Sequence, residues 1–188
     1  MKRIAIFASG SGSNAEKIAE HFKNHPNVKI CFLLSNKKDA LALVKAKEYG
    51  VPTVVFGRDE FYNSTKIVDL LIENQIDLLV LAGFLWLVPA LLVRAFEGRI
   101  VNIHPALLPK YGGKGMYGNY VHEAVVANNE RESGITIHYV NDHYDEGDII
   151  LQVSCPIDSK DTPEDVARKV HELEYEHFPK TIASILGE

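Results

Sequence analysis

RIAIFASGSGSN, from Arg3 to Asn14, decides how the rest of the chain is read. Arg3 to Ala8 is a short apolar run of strand character. It breaks into glycine and serine. Asn14 to His25 then reads as a helix, with Asn14 suited to its N-cap. Strand, glycine turn and helix form the opening unit of an open α/β sheet. Glycines let the main chain approach an anion, and a helix N-terminus supplies free N–H groups and a favourable dipole. Gly12, Ser13 and Asn14 are therefore candidate phosphate-binding residues, against the alternative of a plain tight turn.

The alternation continues outward from this unit. Strand readings fall on Val28 to Ser35, on VPTVVF after Gly50, on Asp77 to Gly83 and on Arg99 to His104. Helices are expected over 39–49, 59–75 and 89–97. DLLVLAG is continuously apolar, as a strand covered on both faces must be. The rhythm changes after His104. A loop rich in Pro and Gly spans 105–118, and a helix is expected near 120–128. GITIHYVN and DIILQVSCPI follow with NDHYDEG between them, a spacing that suits an antiparallel pair at the sheet edge. Asp161-Thr162-Pro163 is read as the cap of a long final helix over 163–186. The expected fold is α/β: a doubly wound, Rossmann-like, mostly parallel sheet extended by an antiparallel C-terminal strand pair, in a single domain over 1–188.

Composition narrows the function classes. The 188 residues are 46% hydrophobic and 24% charged, with a net charge of -5 and a pI of about 5.9. No basic face for nucleic acid is expected from that balance. LLVLAGFLWLVPALLV (Leu78 to Val93) is the most apolar stretch, but Gly83 and Pro89 interrupt it, so no membrane span is expected. The N-terminal run carries no export signal, and Cys31 and Cys155 read as two reduced core thiols, which suits a cytoplasmic protein. His21, His25, His122, His171 and His177 read as surface groups on helices, His138 faces the site or the core, and His143 is solvated. No metal-ligand spacing is present.

Gly10-x-Gly12-x-x-Ala15 also fits a loose dinucleotide fingerprint. That motif wants an acid at the end of the second strand to hold a ribose, and here Ser35-Asn36 stand there. A monophosphate needs only the loop. The other constellation is Asn102, His104 and Asp145. Asn102-Ile103-His104-Pro105 closes the fifth strand, where ligands of such sheets bind, and strand alternation projects Asn102 and His104 to one side. These types suit acyl transfer to a neutral amine. An amide N–H and an imidazole N–H stabilise the developing oxyanion, and a carboxylate orients the imidazole and helps remove the ammonium proton. The structural alternative is a turn, with Asp145 bonded to its own backbone.

Together GSGSN, DLLVLAGF, NIHPALLPKY and DEGDIILQ, in this order, resemble the folate-dependent formyltransferases, and among them the glycinamide ribonucleotide formyltransferases. The resemblance implies glycinamide ribonucleotide and 10-formyltetrahydrofolate as substrates, in de novo purine biosynthesis. The folate is a co-substrate; no permanently bound cofactor and no metal are expected. It assigns the phosphate to Gly12, Ser13 and Asn14, catalysis to Asn102, His104 and Asp145, and the glycinamide end to Glu174. Folate would meet Leu85, Trp86, Leu87, Val88 and Asn102. Two departures stand out. Trp86 occupies a place where relatives often carry Arg, and a folate-contacting Arg of the third-helix region has no match, with Thr65 and Lys66 nearby. The stretch GGKGMYGN is also longer than the common form. A formyltetrahydrofolate hydrolase and a non-catalytic nucleotide-binding module are the competing readings, and the assembly expected is a monomer or homodimer.

Overall fold

The computed structural model describes residues 1–188. Its strands are β1 (Lys2–Phe7), β2 (Val28–Ser35), β3 (Thr53–Val55), β4 (Leu78–Leu81), β5 (Ile100–His104), β6 (Glu132–Tyr139) and β7 (Ile149–Pro156). Its helices are α1 (Ser13–Phe22), α2 (Leu41–Glu48), α3 (Arg58–Tyr62), α4 (Lys66–Glu73), α5 (Ala90–Ala95), α6 (Asn119–Ala127) and α7 (Pro163–Leu186). All seven strands join one sheet in the order β3-β2-β1-β4-β5-β6-β7. β1 to β5 pair in parallel, and β6 and β7 are antiparallel additions at one edge.

Both faces of the central strands are covered, which is why they read as unbroken apolar runs. On β1, Ile4 and Ile6 pack under α1, α2, α6 and α7, while Ala5 and Phe7 pack under α3, α4 and α5. The chain runs outward from β1 to β2 and β3, then crosses back to β4. The connections after β1 and β4 therefore diverge to opposite faces and open a crevice at the strand ends. Thr162 caps α7 in a reciprocal box with Asp165, and Pro163 follows in the first turn.

Several local expectations are corrected. Helix α1 starts at Ser13, and Gly12 rather than Asn14 is its N-cap. The expected helix over 59–75 is two helices. Ser64 Oγ donates to Glu60 O at 2.9 Å and accepts from Lys66 N–H at 3.3 Å, local bonds that compete with a continuous helix. His25 lies beyond the end of α1. His122 is buried, because α6 turns it inward beneath α7 rather than toward solvent. Cys155 is only half-buried, since its strand is the uncovered sheet edge.

Gly12 shows why the glycine loop has its composition. Its φ is 69°, and a Cβ there would stand 2.5 Å from Cα of Ala42 on α2. Ala42 N–H meanwhile donates to Gly10 O at 3.1 Å, so α2 is drawn tightly against the loop. Gly10 has open space around it. Gly12→Ala is expected to cost about 1–3 kcal/mol through overpacking and a strained φ. Gly10→Ala should stay within about 0.5 kcal/mol. Urea midpoints at constant m measure both.

Candidate active site

A cleft of about 610 Å³ opens along the strand ends, within the usual size for a small-molecule site. One wall comes from the α1, α6 and α7 side: Gly10 to Asn14, His122, His171 and Glu174. The opposite wall carries Phe84 to Val88, Val140 and Tyr144. Asn102, His104, His138 and Asp145 line it between these walls. The residues expected to meet the phosphate, the folate, the glycinamide end and the reacting atoms thus all line the same cleft.

Asp145 is the centre of the polar network. Strand β6 runs antiparallel to β5, so the turn after it begins level with Val101. It must fold back to reach His104. Gly147 permits this, because a Cβ there would overlap the carbonyl of Tyr139. Asp145 itself takes a φ of 57°, a region aspartate tolerates better than most residues. Its Oδ2 accepts from Gly113 N–H at 3.0 Å and lies 3.5 Å from His104 Nδ1. Its Oδ1 lies 3.5 Å from Asn102 Nδ2 and 3.6 Å from His138 Nε2. Burial pushes the Asp145 carboxyl upward, but His138, His104 and the Gly113 N–H outweigh it and leave it below its ordinary value. Asp145 is therefore ionised at neutral pH.

The tautomers follow from the partners. His104 Nε2 meets Tyr111 O at 2.7 Å; a carbonyl only accepts, so Nε2 carries the proton. Tyr111 holds this carbonyl in place at a φ of 56°. Burial lowers the His104 pKa, and the Asp145 charge only partly opposes it, so the ring is neutral at pH 7 with its Nδ1 lone pair toward Asp145. By the same logic His138 donates from Nδ1 to Tyr139 O at 2.8 Å and accepts at Nε2 from Asn102 Nδ2 at 3.1 Å. His138 is the residue sequence reasoning left undecided. It sits directly opposite Asn102 across the β5–β6 ladder, a register that periodicity alone does not reveal.

A second cluster lies at the α1 end. Glu174 is buried, and its Oε2 accepts from Asn14 Nδ2 at 3.0 Å and His171 Nδ1 at 2.8 Å. The hydrogen bond to Glu174 raises the His171 pKa. His122 packs edge-on against His171, and its enclosed Nδ1 has no partner. The segment 85–88 is pinned at both ends: Leu85 N–H donates to Ser9 Oγ at 3.1 Å, and Tyr62 Oη donates to Leu87 O at 2.9 Å.

The Formyl transferase family model matches residues 2–182, nearly the whole chain. The chain belongs to the formyl transferase family. It is 38% identical to the phosphoribosylglycinamide formyltransferase of Haemophilus influenzae, over 97% of this chain and 86% of that protein. It is 40% identical to the chloroplastic phosphoribosylglycinamide formyltransferase of Arabidopsis thaliana, over 100% of this chain. It spans 66% of the length of that plant relative and 62% of the one from Vigna unguiculata. The crystal structure of phosphoribosylglycinamide formyltransferase from Streptococcus pneumoniae superposes with a TM-score of 0.87 at 38% identity, covering 99% of both chains. This family member has no helix long and apolar enough to cross a membrane.

The buried His122 gives a test of the site's packing. Burial, with His171 adding to it, lowers its pKa from 6.5 to about 4. As pH falls through that window, the unfolded chain binds a proton that folded His122 refuses, so stability drops. The residue contributes its full share only above about pH 6.5. His122→Phe removes the titration and is expected to flatten the Tm–pH profile between about 4 and 6.5. Calorimetric scans of both proteins across that range check it.

Proposed function

We propose that this chain transfers the formyl group of 10-formyltetrahydrofolate to the amine of N1-(5-phospho-D-ribosyl)glycinamide, giving the N2-formyl product and tetrahydrofolate, in de novo purine (IMP) biosynthesis. The observation that carries this reading is the convergence of Asn102, His104 and Asp145 at the middle of one cleft, within 3.5 Å of one another through Asp145. The cleft has a glycine-loop helix N-terminus on one wall and an apolar groove on the other. A phosphorylated amine and a pteridine have opposite demands, and this cleft meets both.

The ribonucleotide phosphate docks on the N–H groups of Gly12, Ser13 and Asn14 and on the Ser13 hydroxyl. Glu174 faces the glycinamide end. The pterin lies along Leu85, Trp86, Leu87 and Val88, which places the formyl carbon beside Asn102. The amine attacks that carbon, giving a tetrahedral centre with a negative oxygen and a positive nitrogen. The Asn102 Nδ2–H now aimed at Asp145 makes only a long bond, at 3.5 Å, so an oxyanion arriving beside it takes that hydrogen over at little cost. Its other hydrogen stays on His138. Because His104 Nε2–H is committed to Tyr111 O, the working nitrogen is Nδ1. It takes the ammonium proton, directly or through one water. Once charged, it donates toward the oxyanion and Asp145 together. As the tetrahedral centre collapses, its bond to the folate N10 breaks. The charged imidazole returns its proton to that nitrogen, directly or through one water, so tetrahydrofolate leaves and His104 is neutral again. Asp145 stabilises the charged form in between.

Incubation with both substrates, following tetrahydrofolate and the formylated ribonucleotide, tests the reaction. Formate release without the ribonucleotide would identify a folate hydrolase instead. Asn102→Ala is expected to lower kcat about 100- to 1000-fold, the usual loss of one oxyanion donor, with little change in ribonucleotide affinity. Asp145→Asn removes the charge that supports imidazolium, so kcat falls and the acid limb of the pH–rate profile moves to lower pH. Ser13→Ala is expected to weaken ribonucleotide binding by about ten-fold with kcat nearly intact. Near-normal kcat in both Asn102→Ala and Asp145→Asn would overturn the mechanism.

A further inference from the structure

Two hydrogen bonds that hold the reacting groups come from one short stretch of loop. Tyr111 O accepts from His104 Nε2 at 2.7 Å, and Gly113 N–H donates to Asp145 Oδ2 at 3.0 Å. Tyr111 itself does not line the cleft, so whatever fixes its carbonyl lies behind the site. Its φ of 56° is one that a tyrosine keeps only where its surroundings hold it there. The ring packs against the core, and its hydroxyl donates to Glu130 Oε1 at 2.9 Å.

Glu130 stands between α6 and β6, and both neighbours fix it. Asn129 takes a φ of 52°, its N–H donates to Val126 O at 3.0 Å, and Glu130 N–H donates to Val125 O at 3.2 Å, the paired bonds of a left-handed helix stop. On the other side Ile157 N–H donates to Arg131 O at 2.9 Å and ties the next residue to the chain just after β7. Lys110 Nζ lies 3.0 Å and 3.3 Å from the two Glu130 carboxylate oxygens. Lys110 and the Tyr111 hydroxyl hold the Glu130 carboxyl below its ordinary value, so it is an ionised acceptor at neutral pH. The Lys110 side chain is 66% exposed, and such an ion pair contributes little. The bond to the half-buried phenol is the one that constrains the loop.

We infer that Glu130 is a positioning residue for the formyl transfer: it holds the Tyr111 hydroxyl, keeps the Tyr111 carbonyl against His104 Nε2, and so leaves Nδ1 free as the working base. This rests on the proposed transfer, in which Nδ1 takes the ammonium proton. Two acceptors compete for the single proton of the neutral ring. Asp145 Oδ2, 3.5 Å from Nδ1, draws it to that nitrogen, and the Tyr111 carbonyl draws it to Nε2. If residue 111 relaxes and its carbonyl swings away, the proton moves to Nδ1, and the ring can no longer accept one there. Glu130 does not line the cleft and touches neither substrate nor reacting atoms.

The test uses the whole protein, steady-state kinetics, and nitrogen NMR of labelled histidines, which tells the two neutral tautomers apart. Melting curves check that each variant is folded. Glu130→Ala and Tyr111→Phe each remove the same hydrogen bond and should lower kcat by about three- to ten-fold, with KM for the ribonucleotide unchanged. In both, the His104 signals should move from the Nε2–H toward the Nδ1–H tautomer. The double variant should be no worse than either single one, because both act through one bond. Glu130→Gln keeps an acceptor for the hydroxyl and should restore kcat and the wild-type tautomer. Lys110→Ala should stay within about two-fold of wild type. Wild-type kcat in Glu130→Ala would overturn the inference and leave the formyl-transfer reading standing. So would a fall in kcat with the His104 tautomer unmoved, or a Glu130→Gln as damaged as Glu130→Ala, since either describes a merely structural residue. If wild type transfers no formyl group, the transfer reading fails, and an unmoved His104 spectrum in Glu130→Ala then removes the hold on the ring as well.

Discussion

The crevice left by the reversal of strand order beside β1 is the constraint on which the rest of the molecule depends. A chain that winds outward from β1 to β3 and then returns to β4 has to place successive crossovers on opposite faces of the sheet. The turn after β1 therefore leads into α1 on one face, and the turn after β4 leads toward α5 on the other. The gap between them is lined by backbone N–H groups on one side and apolar side chains on the other. A ligand with one phosphorylated end and a second ligand with a flat aromatic end fit such a gap because the two faces carry different chemistry. No single side chain creates this division; it follows from the right-handed twist of crossovers around a parallel sheet.

Within the crevice, a buried carboxylate organises the polar groups. Asp145 is ionised in a poorly solvated place, a state that is costly unless several donors compensate it. The N–H donors come from two separate segments: Gly113 in the loop before α6, at 3.0 Å, and Asn102 on β5, at 3.5 Å, with the rings of His104 and His138 alongside at 3.5 and 3.6 Å. The same requirement that keeps Asp145 satisfied also fixes the orientation of the Asn102 amide. Tyr111 completes the arrangement from the far side by occupying the second ring nitrogen with its carbonyl. The site is thus pre-organised by the need to satisfy one charge, and its working groups are the weakest bonds in that network.

The same separation of roles appears at the two walls. Toward α7, Glu174 and His171 form a short pair that also grips Asn14, so the first turn of α1 is joined to the last helix. Toward α3, an aromatic stack carries the segment 85–88 and holds its main chain in a fixed course. Trp86 here takes part in packing as well as lining, and its indole carries a guanidinium from elsewhere in the sequence.

Much of this is legible in the amino-acid sequence alone. Unbroken apolar runs at β1 and β4 require a sheet covered on both faces, and GSGSN after β1 requires a turn at a helix N-terminus. Asn102 and His104, two residues apart on a strand, share a side by the pleat alone. These are local properties, set by periodicity and by the conformational freedom of glycine. The tertiary structure decided what depends on register and on long-range closure. It set His138 opposite Asn102, buried His122 under α7, folded Asp145 back onto His104 and stacked Arg58 on Trp86. The break between α3 and α4 is not legible either, since the Ser64 hydroxyl bonds to Glu60 O and Lys66 N–H in a way that a periodicity argument does not count. Each of these needs two distant segments, or two competing hydrogen-bond schemes, to be weighed together. A linear pattern carries the preference of each segment but not the geometry in which they meet.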